Sequence, residues 1–349
     1  MPEPALRRLL EAMPKAELHL HLDGSLRVAT ALELARSRGV DGPDSPAAMR
    51  AALVAPERVA DQAELLRAFD LPIALLQDAE ALERVAAELV EDKAADGVPY
   101  LEIRWGPLLH VERGLELAAG IAAVVRGARA AGARLGVEVR LICTAIRSHD
   151  PADNVRLAAA AARFRDEGLT GWDLAGPEAR HPDPLDHAAA FRAARDAGLR
   201  ITLHAGEWGG AAQVWRALEL APERIAHGPG AADDPALVGE LIARGVTLDL
   251  CPTSNAQAGV VASVAAHPLA RLHRAGVSVT LSTDDLTVSD ISLSGEYGRA
   301  LDLIGLTLPE LWAIDRGALD VAFADEAALA RVRAAFDAWA AGVPELRRV

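Results

Sequence analysis

Eight times along the chain a short β-rich run ends in polar residues and gives way to a longer stretch of helical period. The runs are AELHLHLDG, PYLEIRWGP, VEVRLICTAIRS, LTGWDLAGPE, LRITLHAGE, RIAHGPG, VTLDLCPTSN and VSVTLSTDD. Between them lie Ala/Leu/Arg/Glu segments such as 78–96 and 185–198, with apolar residues on one helical face. A glycine introduces several strands (Gly97, Gly136, Gly168, Gly198, Gly245 and Gly276), as a stop signal for the preceding helix. Eight β-then-α units predict an α/β fold of one kind, a closed parallel (β/α)8 TIM barrel and not an open sheet. The interval 25–97 is longer than one crossover needs and is expected to hold extra helices over the barrel mouth, where a lid would sit. From about residue 307 on, further helices are expected against the outside of the barrel. Barrels of this kind run to 349 residues as one unit, so residues 1–349 are read as a single domain.

Charge narrows the partners. The formal net charge is −14, and no Lys/Arg cluster is dense enough to track phosphates, which excludes a nucleic-acid partner. No apolar run approaches a membrane span, and the opening MPEPALRRLLEAMPKAELHL lacks the apolar core of a signal peptide. Two cysteines, Cys143 and Cys251, make no disulfide framework. The expectation is a cytoplasmic protein acting on a small molecule, with no membrane partner. Nothing in the pattern sets an oligomeric state.

Barrel enzymes work at the C-terminal ends of their strands. Here those ends carry His19, His21, Asp23, Glu102, Arg104, Asp173, Glu178, His204, Glu207, His227, Asp249, Asn255, Asp284 and Asp285, while strand interiors are expected to hold Leu, Ile and Val. His19 and His21 stand two apart on one strand, so both rings face one side. With His204 on the fifth strand and Asp284 on the eighth they form a nitrogen-and-oxygen set suited to one zinc ion, with iron, cobalt or nickel as weaker candidates. Strands one and eight are neighbours in a closed barrel and strand five lies across it, so the four can converge over the axis. A lone histidine would read as packing; His-x-His with HAGE and TDD on other strands does not. Glu207, three residues after His204, is placed to exchange a proton near such an ion. His227 could orient the attacking water or stabilise charge, and Asp285, pointing away from Asp284, could hold substrate. Together these residues describe metal-assisted hydrolysis.

AELHLHLDGSL, DLAGPE, LHAGE, RIAHGPG, CPTSN and LSTDD, in this order, resemble the adenosine deaminase family of zinc aminohydrolases over about residues 14–300. The resemblance implies that His19, His21, His204 and Asp284 bind zinc and that Glu207 gives a proton to the ring nitrogen beside the reacting carbon. It implies that His227 and Asp284 orient the hydroxide, that Asp285 meets the imidazole-ring nitrogen of a purine, and that the Gly176 amide meets a pyrimidine-ring nitrogen. Asp23 would contact the ribose, and Leu65, Leu66 and Phe69 would cover base or sugar. The implied reaction is hydrolytic deamination of a 6-aminopurine nucleoside, with adenosine and 2′-deoxyadenosine first.

Three stretches depart from the family pattern: LTVSDISLSGEY after the paired aspartates, the small residues of AQAGVVASVAAHP, and Pro229 in RIAHGPGA. They keep a second substrate open, a 5′-modified adenine nucleoside such as 6-aminodeoxyfutalosine of a menaquinone pathway, with free adenine third. An ester or lactone hydrolase with a lysine-bridged metal pair is disfavoured, since neither Lys15 nor Lys93 falls at a middle strand end. A non-catalytic nucleoside-binding protein is disfavoured because every expected ligand and acid is present.

Overall fold

The computed structural model describes residues 4–348. Eight strands run parallel in chain order: β1 (Ala16–His21), β2 (Tyr100–Trp105), β3 (Glu138–Ile146), β4 (Leu169–Ala175), β5 (Arg200–Ile201), β6 (Arg224–Ala226), β7 (Thr247–Leu250) and β8 (Val279–Leu281). Each falls inside one of the eight runs read from the sequence. Regular pairing joins β1 through β5 and, separately, β6 through β8. Two short bridges close the ring. His21 N–H donates to the Asp284 carbonyl at 2.7 Å and Asp284 N–H to the His19 carbonyl at 3.1 Å, joining the ends of β8 and β1. Ala226 N–H donates to the Leu203 carbonyl at 2.9 Å and Ala205 N–H to the Ala226 carbonyl at 3.2 Å, joining β5 and β6. The fold is therefore the expected α/β barrel.

All six glycines singled out before strands have positive φ, from 65° to 102°, which a side chain would resist and which ends each helix cleanly. Outward-facing strand residues such as Leu101, Ile103 and Trp105 pack in one apolar shell with Leu82, Val85 and Leu89 of helix Ala79–Ala95 and Val124 and Ala128 of helix Leu117–Leu135. Each fully buried Leu or Val contributes roughly 1.5–3 kcal/mol.

The barrel interior differs from expectation. Along β2 the alternate residues Glu102 and Arg104 point inward, and both are fully buried. Arg224 pairs with Glu102 and, at 3.2 Å, with Asp249, while Arg104 donates to Asp173 at 3.4 Å and to the Leu18 carbonyl at 2.9 Å. Tyr100 hydroxyl also donates to Glu102, at 2.7 Å, and the Arg224 guanidinium lies 3.8 Å from the Phe323 ring centre. Glu102, Arg104 and Asp249 are therefore axial ion pairs beneath the mouth, not groups open to substrate. Charges so deep are tolerated only because each finds a partner, and removing one would strand the others.

The interval 25–97 contains helices Val28–Arg38, Pro46–Leu53, Gln62–Leu66, Asp70–Leu75 and Ala79–Ala95. Side-chain caps start three of them: Ser45, Asp61 and Asp78 accept from the amides of Ala48, Glu64 and Ala81. The last is the crossover helix between β1 and β2, and the segment from Gln62 to Ile73 overhangs the barrel mouth. Helices Leu308–Ala318 and Glu326–Ala341 pack under Ala16, Leu18 and Tyr100. Among the described residues no helix is long and apolar enough to cross a membrane.

Asp315 ties this tail to β1, accepting from Ala16 N–H and from the Tyr297 hydroxyl, both at 2.8 Å. Burial pushes its carboxyl up to about 7, against the pull of those two donors and of Lys15. The folded value lies above the unfolded one, so the stabilisation is full below about pH 4 and is lost as pH rises through about 7. From about pH 5.5 to about pH 8 the protein is expected to lose about 2 kcal/mol through this group. Asp315→Asn keeps an oxygen acceptor for both donors without a charge to bury. Its melting temperature should fall less over that interval than the wild type's; identical slopes would remove Asp315 as the cause.

Candidate active site

Backbone pairing sets the site. The bridge between β1 and β8 holds His19, His21 and Asp284 on adjoining chain segments, and His204, three residues past the end of β5, bridges to Ala226 of β6. His21 Nε2 lies 3.3 Å from His19 Nε2 and 3.1 Å from His204 Nε2. Asp284 Oδ1 lies 3.0 Å from His19 Nε2 and 3.3 Å from His21 Nε2. Burial lowers both His19 and His21, His21 to about 4, so their rings are neutral and can present lone pairs. His204 Nδ1 faces Asp173 Oδ1 at 3.1 Å, which places its proton there and leaves Nε2 to the cluster. Burial opposes the charge of Asp284, but His19 and His227 outweigh it and hold the carboxyl well below its usual range. Ser254 hydroxyl donates to its other oxygen, Oδ2, at 2.7 Å.

Three imidazole nitrogens and a carboxylate oxygen aimed at one another are a cation's surroundings. A tetrahedral ion with bonds of about 2.0–2.1 Å sets its ligand atoms about 3.3 Å apart, the spacing these atoms show. A second group, His227, Cys251 and Asp284, shares Asp284, but burial pushes the Cys251 thiol well up and keeps it protonated. The four-residue group is the one suited to a metal.

His227 is held in one tautomer. Leu269 N–H donates to His267 Nδ1 at 3.2 Å, so His267 carries its proton on Nε2, which donates to Asn255 Oδ1 at 3.1 Å. The Asn255 amide nitrogen then donates to His227 Nδ1 at 3.1 Å. Assigned from this network, His227 is neutral with its N–H on Nε2, 3.8 Å from both Asp284 Oδ2 and Glu207 Oε1. His227 and Asp284 both have positive φ, 67° and 69°, an uncommon conformation for residues with side chains and one that concentrates at functional sites.

Glu207 stands beside this pair with its side chain 13% exposed. Desolvation, reinforced by the charge of Asp284, raises its carboxyl to about 8, so it holds a proton at neutral pH. Asp285 is pushed well up by burial and by the charges of Asp284 and Asp23. It leans over Gly24: a Cβ on that glycine would stand 1.6 Å from Asp285 Oδ1. Gly24 also accepts, through its carbonyl, from the amides of Thr287 and Val288, both at 3.1 Å, so the turn after β1 is stitched to the loop after β8. Burial opposes the charge of Asp23, but His110 and His21 keep it below its usual range.

His21, Asp23, Leu65, Leu66, Phe69, Gly176, His204, Glu207, His227, Asp284 and Asp285 all line one cavity of about 370 Å³, and His19 lies fully buried against its ligand-type neighbours. The structure thus brings the residues given metal, proton-transfer or substrate roles to one place, whereas Glu102, Arg104 and Asp249 stay in the ion pairs beneath it. It adds Gln62, Thr144 and Trp208 to the wall and Ser254 and His267 behind it, and it gives Asn255, already placed at a strand end, its role between His267 and His227. Ser254 and Asn255 sit inside CPTSN; His267 falls in AQAGVVASVAAHP, a stretch noted for its small residues and not for this histidine.

Ligand-type side chains on the first, fifth and last strands, meeting at the C-terminal mouth beside a protonated acid, place the chain among the amidohydrolase-type barrel enzymes. The comparisons narrow this. The adenosine deaminase family model matches residues 14–339, and the chain belongs to that family. It is 39% identical over 319 residues to the adenosine deaminase of Serratia proteamaculans, covering 90% of this chain and 95% of that one. A zinc-bound amidohydrolase from Burkholderia ambifaria superposes with a TM-score of 0.88 at 28% identity, over 98% of this chain and 95% of that one. An N6-mAMP deaminase from Arabidopsis superposes with a TM-score of 0.84 at 31% identity, over 95% of this chain and 99% of that one.

Proposed function

We propose that this enzyme hydrolyses the 6-amino group of adenosine and 2′-deoxyadenosine, giving inosine or 2′-deoxyinosine and ammonia, with one zinc ion held by His19, His21, His204 and Asp284. The observation that carries the reading is Glu207, protonated at neutral pH within a cavity whose floor is that ligand set. A zinc ion held there supplies the Lewis acid that makes water a nucleophile near neutral pH.

The chain's own groups do the rest. Glu207 hands its proton to the ring nitrogen next to C6, which makes that carbon electrophilic as water adds to it. His227, whose Nε2–H is fixed by Asn255 and His267, donates a hydrogen bond to the incoming oxygen and directs it, and Asp284 accepts from the same oxygen. One proton of the water passes to the amino nitrogen, the C6–N bond breaks with ammonia leaving, and the remaining hydroxyl proton returns to Glu207 as the C6 carbonyl forms. Asp285, neutral in its buried setting, can donate to an unprotonated ring nitrogen, and the Gly176 amide faces the opposite edge of the base. Leu65, Leu66 and Phe69 exclude water. Residues 25–97 supply this cover, and the 349 residues work as one domain.

Charge favours a nucleoside over a nucleotide. Among the described residues no Lys or Arg lines the cavity, whereas the carboxylates of Asp23, Asp70 and Asp284 do. A 5′-phosphate, or any anionic 5′ extension, would enter with no cation to meet it. Ammonia release should therefore be measured across adenosine, 2′-deoxyadenosine, adenine, AMP and a 5′-extended adenine nucleoside. Strong turnover of the first two alone supports the reading; preference for AMP or the extended nucleoside would overturn it.

Asp23 supplies the sugar test. Asp23→Ala should raise KM for adenosine about tenfold or more, the scale of one charged hydrogen bond, and change KM for adenine little. Equal effects on both would take Asp23 out of the ribose site.

A further inference from the structure

Helix Gln62–Leu66 carries one polar side chain into an apolar wall. Gln62 is buried, next to Leu65 and Leu66 on the cavity lining. Both ends of its amide engage one loop: Nε2 donates to the Gly176 carbonyl at 3.3 Å, and Oε1 accepts from Ala179 N–H at 3.0 Å. Apolar cover alone would be better served by another leucine, because a buried amide costs free energy unless both ends are matched.

Between those two contacts lies Glu178, itself buried. Its carboxylate accepts from Gly206 N–H at 2.8 Å, Trp208 N–H at 2.7 Å and Gly209 N–H at 3.0 Å, three amides that bracket Glu207. Arg147 Nη2 stands 3.8 Å from the same carboxylate and donates to the His204 carbonyl at 2.9 Å, so the start of this loop is held from the other side. One loop is therefore gripped by the overhanging helix and in turn grips the loop that carries Glu207.

We propose that Gln62 is a positioning residue, a latch that couples closure of the 62–75 segment over substrate to the placement of Glu207 through Glu178. When the segment is closed, the Gln62 amide fixes residues 176–179, and the Glu178 carboxylate, fixed with them, sets the three amides around Glu207. When it opens, the Gly176 carbonyl and the Ala179 amide return to water and the Glu178 clamp loosens. The acid is then in register only while the site is covered, and proton delivery is confined to the closed state. The inference rests on the deaminase reading for its kinetic arm only, since the coupling itself is visible in protein that is not turning over.

The test uses the metal-loaded enzyme with Gln62→Leu, which keeps bulk and removes both bonds, and Glu178→Gln. Hydrogen exchange is followed in peptides covering 57–75, 174–182 and 203–212, together with kcat and KM for adenosine. Gln62→Leu should speed exchange in all three peptides, at Gly206 to Gly209 by about tenfold, and should lower kcat about tenfold, more than it raises KM. Glu178→Gln should reproduce the change in 203–212 and in kcat, and the double variant should be no slower than the slower single one. Gln62→Glu, which keeps the acceptor for Ala179 and loses the donor to Gly176, should fall between wild type and Gln62→Leu. Faster exchange confined to 57–75 with kcat within about twofold of wild type, or strictly additive losses, would make Gln62 simple cover and overturn the latch. If the wild type does not deaminate adenosine, the exchange arm still decides.

Discussion

Glu207→Gln is expected to lower turnover of adenosine by about a hundredfold or more while the metal content stays at the wild-type level. The substitution keeps size and hydrogen-bonding capacity but removes the acidic proton held 3.8 Å from His227. Burial, aided by the charge of Asp284, is what stores that proton, with the carboxyl raised to about 8. A glutamine side chain cannot transfer a proton, so the loss falls on kcat and not on KM. Elemental analysis beside steady-state rates separates the two roles. A variant within about threefold of wild type, metal retained, would remove Glu207 as the acid.

His21→Ala is expected to bind less than a tenth of the wild-type zinc and to lose more than about a thousandfold of activity, because the missing Lewis acid is asked to supply several kcal/mol. His21 is the better choice within the set. His204 is tied to Asp173 at 3.1 Å, and its removal would leave a buried carboxylate without its imidazole. His21 Nε2 instead touches only the other ligand-type atoms of the cluster, at 3.1 to 3.3 Å. The metal-free wild type should gain thermal stability when zinc is added, and His21→Ala should not. A full zinc equivalent in the variant would break the proposed ligand set.

The ring of strands and the convergence of the site could be read in the sequence because both follow from local patterns. Period-two runs ending in His, Asp or Glu fix which face and which end of a strand a group occupies. What could not be read depends on pairing across the ring. Glu102, Arg104 and Asp249 looked like mouth residues because nothing local says how far along the tilted barrel a strand end lies; opposite charges on β2, β6 and β7 find one another only after closure. His267 and Gln62 were silent for the same reason. His267 acts through Asn255, across an intervening loop, and Gln62 acts through Gly176 and Ala179, more than a hundred residues away in the chain.

The contact of Gly24 with Asp285 links the turn after the first strand to the loop after the last. Position 24 can accept a side chain only if position 285 gives up its carboxylate or swings it away, and a new residue at 285 is shaped by the space that 24 leaves. The two behave as one allele written in two places. A half-barrel exchange between relatives, cut between β4 and β5, would separate them, and the resulting hybrids would be sorted by whether the two parents agree at this pair before any other difference in their substrate pockets came into play.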